Sequence, residues 1–236
     1  MFPRWLRKRV LEFLRAYPAD RLPADWTPKR NLTLSPVCQE CQRQLNHVFE
    51  NPTRDLLIQV MDGRTLTLSA DEQLRLAGWF VKTDILTLLT DDKQPRRDRE
   101  HFREVILGML KGTGEPPGNF AVRLAHINYE GARSGRRVLP ANWPPNALFG
   151  RVGVSHYPGV AVETFVGLGG TDLLHTHVTR NDFRFVLVWP PILPSIRWPP
   201  ARELSLDDYQ TLRQNWNITQ AYGNFPQMWG GPPAPA

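Results

Sequence analysis

Apolar residues recur at helical spacing through the first half of the chain and at alternate positions through the second. Residues 3 to 16 read as an amphipathic helix with Pro3 suited to its first turn, and Pro18, Pro23 and Pro28 mark the loop behind it. Asn31 to Leu34 reads as a short strand. A helix is expected from about Gln39 to Asp62, with Pro52 as the place where it would break and Gly63 as its stop. Ser69, Ala70, Asp71 and Glu72 form a capping box, which opens the strongest helical pattern in the chain. Leu74, Ala77, Val81, Ile85 and Leu88 fall on one of its stripes. A further helix is expected from about Asp98 to Lys111, closing at Gly112.

Past Gly114 the period changes from helical to alternating. Val122, Leu124, Ile127 and Tyr129, then Val152, Val154, Val160, Val162 and Phe165, then Phe183, Phe185, Leu187 and Trp189 are strand formers separated by glycine-rich turns. These predict a mainly antiparallel β unit. Two Trp-Pro-Pro steps, at Trp189 and Trp198, bracket what reads as a proline-rich connection. Ser205 to Asp208 caps a closing helix to about Trp216, and the tail from Gly223 to Ala236 reads as flexible. The expected class is α+β. A helical part occupies residues 1–114, an antiparallel β unit residues 115–200, and a closing helix with its tail residues 201–236.

Composition narrows the function classes. With 236 residues, 41% of them hydrophobic, the chain can bury a substantial core. No run approaches the roughly 18 to 20 apolar residues that span a bilayer. The N-terminal segment is too charged for a signal-peptide core, so the cytoplasm is the expected compartment and no membrane partner is expected. The net charge of +6 is concentrated at the start of the chain: eight basic residues stand against three acidic ones in residues 1–30. Arg4, Arg7, Lys8, Arg9 and Arg15 lie on the expected first helix. Such a face suits a phosphate-bearing partner, DNA above all, and equally suits a solvated helix surface.

The candidate chemistry is a cysteine pair. Cys38 and Cys41, the two cysteines of the chain, stand three apart where the expected strand enters a helix. That spacing serves as half of a zinc site, as a pair of structural thiols, or as a redox dithiol. A structural zinc requires four ligands, so the pair alone is half of one. His47 lies six residues past Cys41, about 240° around a helix, and is not expected to join that site. His175 and His177 share a face if extended and would suit either a metal or a polar sheet surface.

Pro3, Trp5 and Leu6, then Cys38 and Cys41 with Glu50 nine residues on, then Trp79, Lys82 and Thr83, make a set. In these residues the chain resembles bacterial proteins related to the HNH (His-Me finger) endonucleases. Members of that group read Glu-His-x-x-Pro-x-Trp-Leu, then Cys-x-x-Cys-Asn with a leucine-glutamate pair, then Trp-x-x-Lys-Thr. The Trp-Pro-Pro steps are familiar from such proteins too, and the resemblance touches most of residues 1–200. It implies a ββα finger braced by zinc through Cys38 and Cys41. It also implies one divalent cation such as magnesium, with a histidine that activates water for phosphodiester hydrolysis.

Two departures bear on activity. The activating histidine of the group would stand immediately before Met1, and so would the second cysteine pair. Gln42 occupies the place of the helix asparagine. Either the gene begins further upstream, or this is a paralogue without the catalytic strand. The expectation is an HNH-like nucleic-acid-binding protein that is catalytically incomplete over residues 1–236. The alternative is a non-catalytic interaction or regulatory protein, in which the helices and the β unit bind a protein partner and the finger is vestigial.

Overall fold

The computed structural model describes residues 5, 6, 8, 9, 37–89, 96–118, 120–128, 150–167, 185–191, 193–205 and 208. Outside them lie Arg4, Arg7, Arg15, the expected strand Asn31 to Leu34, His175 and His177. Most of the first helix, the closing helix beyond Asp208 and the tail lie outside as well.

Residues 5, 6, 8 and 9 are helical. Leu6 is fully buried and Trp5 packs against the same core. A continuous helical rod then runs through α1 (Gln39–Leu45), a π-helical turn (Asn46–Glu50) and α2 (Asn51–Met61). Pro52 has no N–H to offer the carbonyl one turn back, and its ring crowds that carbonyl. The rod does not break there. Directly before the proline it widens instead, with the Asn51 N–H donating to Asn46 O five residues back. Gly63 ends the rod at a φ of 65°. Its N–H donates to Val60 O and that of Arg64 to Gln59 O, both at 3.1 Å, which is the expected glycine stop.

β1 (Leu66–Ser69) leads straight into α3 (Ala70–Leu89). The capping box forms as expected: Ser69 N–H donates to Glu72 Oε2 at 2.8 Å, and Glu72 N–H donates to Ser69 Oγ at 3.3 Å. α3 is the central element. Leu76 to Thr83 are all buried, because α3 packs against α2, β1 and α4 (Arg96–Lys111) as well as the sheet. Its burial is therefore wider than the single stripe that the sequence predicts.

The sheet contains β2 (Phe120–Asn128), β3 (Gly150–Tyr157), β4 (Val160–Gly167) and β5 (Val186–Trp189), in the order β3-β4-β2-β5 with antiparallel pairing. β3 and β4 form a hairpin whose turn residue Gly159 has a φ of 78°. A Cβ there would strike the carbonyl oxygen of Met61, so the turn seats directly on the end of α2. β6 (Ser195–Trp198) pairs with β1, and β7 (Leu204–Ser205) runs parallel to the end of β2. The β1-β6 ribbon corrects the reading of residues 190–198 as a mere connection. Each strand is four residues long, too short for alternation to declare itself.

One hydrophobic cluster links the helices and the sheet, from Leu6 through Phe49, Leu57, Trp79 and Phe80 to Tyr157, Val162 and Trp198. Trp79, Phe80 and Tyr157 meet edge to face or tilted, with ring centroids 5.2 to 5.6 Å apart. The Trp198 indole donates to Val60 O at 3.1 Å, tying β6 to α2. The protein is α+β, as its periodicities predict.

Candidate functional site

Cys38 caps the rod. Its backbone is extended, with φ −56° and ψ 153°, and its Sγ accepts the Cys41 N–H at 3.1 Å, satisfying one of the donors that a helix start leaves open. The two Sγ atoms stand 2.7 Å apart. Cys38 is exposed and Cys41 half-buried. The hydrogen bonds from the Cys41 side chain and backbone hold the Cys38 thiol below its ordinary pKa. Cys41 is pushed up, first by that shared hydrogen bond, then by burial and by the charge on Cys38.

The donor chemistry of two sulfurs suits zinc, but the spacing and number do not complete a site. Two thiolates about 2.3 Å from a tetrahedral zinc stand roughly 3.7 Å apart, wider than this pair. Among the described residues no group of three or more His, Cys, Asp or Glu side chains comes together. His47 is exposed. Gln42, at the expected asparagine position, donates its amide to Asn46 Oδ1 at 2.9 Å.

Of the five basic candidates, two fall among the described residues. Lys8 is exposed. Arg9 instead forks onto Asp62, with Nη1 to Oδ1 at 2.6 Å and Nη2 to Oδ2 at 3.2 Å. It thereby joins the first helix to the end of α2, and that guanidinium is directed at a carboxylate of its own chain.

The other residues of the resemblance converge in the interior. Glu50, the last residue of the π turn, is 7% exposed and accepts from two residues of α3. The Trp79 indole N–H donates to Oε2 at 2.9 Å, and the Lys82 ammonium bonds Oε1. Lys82 also lies 4.7 Å from the Trp79 ring centroid, an attractive placement over the π face. Thr83 closes the set by donating its hydroxyl to Trp79 O at 2.8 Å. Burial pulls the Lys82 pKa below its ordinary value, and the charge and hydrogen bond of Glu50 oppose that pull. Lys82 thus pairs with Glu50.

A second buried pair was not anticipated. Arg123 on β2 and Glu163 on β4 are register partners. Arg123 Nε donates to Glu163 Oε2 at 2.6 Å, and Nη2 also reaches that oxygen. The guanidinium carbon lies 5.3 Å from the centroid of the Phe185 ring. Opposite charges inside two strand-forming runs are the one sequence signal for such a pair, and that signal acts only once the register is known. In comparisons with known proteins, no family model, no curated protein and no solved structure matches the chain.

Proposed function

We propose that the protein is an HNH-endonuclease-like protein that binds nucleic acid through its basic N-terminal helix, with Cys38 and Cys41 as half of a structural zinc site. The observation that carries this reading is the convergence on Glu50. Residues from two separate motifs of the resemblance, one after the cysteine pair and one on α3, meet in a single buried network. That meeting supports reading the short patterns as one set. The same observation assigns Glu50, Trp79 and Lys82 to the scaffold, since each is buried and bonded within the set. Among the described residues no helix is long and apolar enough to cross a membrane, and the reading places the protein in the cytoplasm.

The test is a titration of the 236-residue protein against duplex DNA at several salt concentrations. Association should weaken by about 0.9 log units per log unit of salt for each phosphate neutralised, and replacing Arg7 and Lys8 by alanine should flatten that slope. No cleavage is expected with magnesium or manganese. A lack of association even at low salt sinks the nucleic-acid reading. The pairing of Arg9 with Asp62 favours the second reading, a protein-interaction module, because it withdraws one cation from the face that would meet phosphates. Elemental analysis of protein purified without chelator tests the zinc separately, and a metal-free result removes the half-site.

A further inference from the structure

We propose that in the zinc-free chain Cys38 and Cys41 form a thiol-disulfide exchange site, in which Cys38 attacks a low-molecular-weight disulfide and Cys41 resolves the adduct. The inference does not rest on nucleic-acid binding. It starts from distance. The sulfurs are 2.7 Å apart, about 0.7 Å beyond a disulfide bond of roughly 2.05 Å. They are about 1.0 Å short of the roughly 3.7 Å edge of a tetrahedral zinc site. The two sulfurs are thus neighbours with no other group between them.

Local structure assigns the roles. Cys38 sits outside the first helical turn and is exposed, so an incoming disulfide reaches it first. Cys41 lies within that turn, half-buried behind it. The Cys41 N–H holds Cys38 Sγ in place at 3.1 Å, so the resolving sulfur is next to its target before the adduct forms.

The step balances as follows. The Cys38 sulfur attacks one sulfur of the small disulfide, breaks its S–S bond and releases one small thiol, leaving a mixed disulfide on Cys38. Cys41 then attacks Cys38 Sγ and expels the second small thiol. The two protein thiols lose two electrons and two protons, and the small disulfide gains them.

The experiment equilibrates the full chain in glutathione buffers of increasing oxidised fraction, quenches with a maleimide and measures intact mass. The wild-type protein should lose both alkylatable thiols together, with the loss of two hydrogens and no retained glutathione. Cys41→Ser should stop with one glutathione on Cys38, and Cys38→Ser should react several-fold more slowly. Serine at 38 still caps the helix, and Cys41 contributes to the cap through its backbone N–H, which serine keeps, so neither variant confounds exchange with folding. The proposal is overturned if both thiols persist at the most oxidising ratio. It is equally overturned if the wild type ends as a stable mixed disulfide or a covalent dimer.

Discussion

Replacing Glu50 with alanine would leave two groups of α3 stranded in the core. The Lys82 ammonium, 2% exposed, would lose its counter-charge, and the Trp79 indole its acceptor. Removing one member of a buried ion pair costs about 3–5 kcal/mol, and an orphaned buried donor about 1–3 kcal/mol. The charge contribution has a ceiling, because lysine can release its proton. Neutralising an ammonium of solution pKa about 10.4 at pH 7 costs about 4.6 kcal/mol. The expected loss for Glu50→Ala is therefore about 4–8 kcal/mol, against a total stability of about 5–15 kcal/mol for a domain.

Urea unfolding followed by tryptophan fluorescence, extrapolated linearly to water, measures this loss. Glu50→Gln keeps an acceptor for Trp79 and removes the charge alone. Adding Lys82→Met to it should recover most of the loss, since an uncharged, well-packed replacement of a buried pair is often neutral or stabilising. A cost below about 1 kcal/mol for Glu50→Ala, or simple additivity of Glu50→Gln and Lys82→Met, would refute the reasoning. The pH dependence supplies a sign. Burial lowers the folded pKa of Lys82, so between that value and about 10.4 the unfolded chain holds more protons than the folded one. Stability from this group consequently rises with pH across that window, and Lys82→Met should abolish the rise.

Glu163→Ala should cost about 3–5 kcal/mol in the same urea assay and show no comparable ceiling, because the guanidinium of Arg123 cannot shed its proton to escape burial. Gly159→Ala should destabilise by about 1–3 kcal/mol from its positive φ alone, with a further loss because the new Cβ strikes the Met61 carbonyl. A thermal midpoint unchanged by Gly159→Ala would remove the argument that the hairpin turn seats on the end of α2.

Much of this fold is legible where a local signal decides the structure. The Ser69 to Glu72 capping box, the Gly63 stop and the alternation through β2 and β4 each act over a few residues, and each forms as read. The β1-β6 ribbon is illegible for the opposite reason. Leu66 to Ser69 becomes a strand by pairing with Ser195 to Trp198, more than a hundred residues away, and neither segment is long enough to show a period. The π turn is hidden too, since Pro52 announces a backbone conflict without stating whether the helix breaks or widens. At the candidate site, the CxxC spacing is visible in the residues themselves. The partners of Glu50 became candidates only through the resemblance, because buried charges resemble surface charges until the packing is known.

The two buried ion pairs occupy corresponding positions in the architecture. Glu50 and Lys82 join the rod to α3, while Arg123 and Glu163 join neighbouring strands of the sheet that α3 packs upon. A buried pair is weak evidence for net stability, but a misplaced one is costly, so it discriminates between registers of otherwise similar apolar packing. Sliding the rod by one turn against α3 would keep leucines against leucines and yet part Glu50 from Lys82 and Trp79. That penalty fixes the rod along its axis, and with it the far end that carries Cys38 and Cys41. Glu50, Trp79 and Lys82 thus act on the cysteine pair from a distance: they hold the helix whose first turn brings the two sulfurs together at the surface.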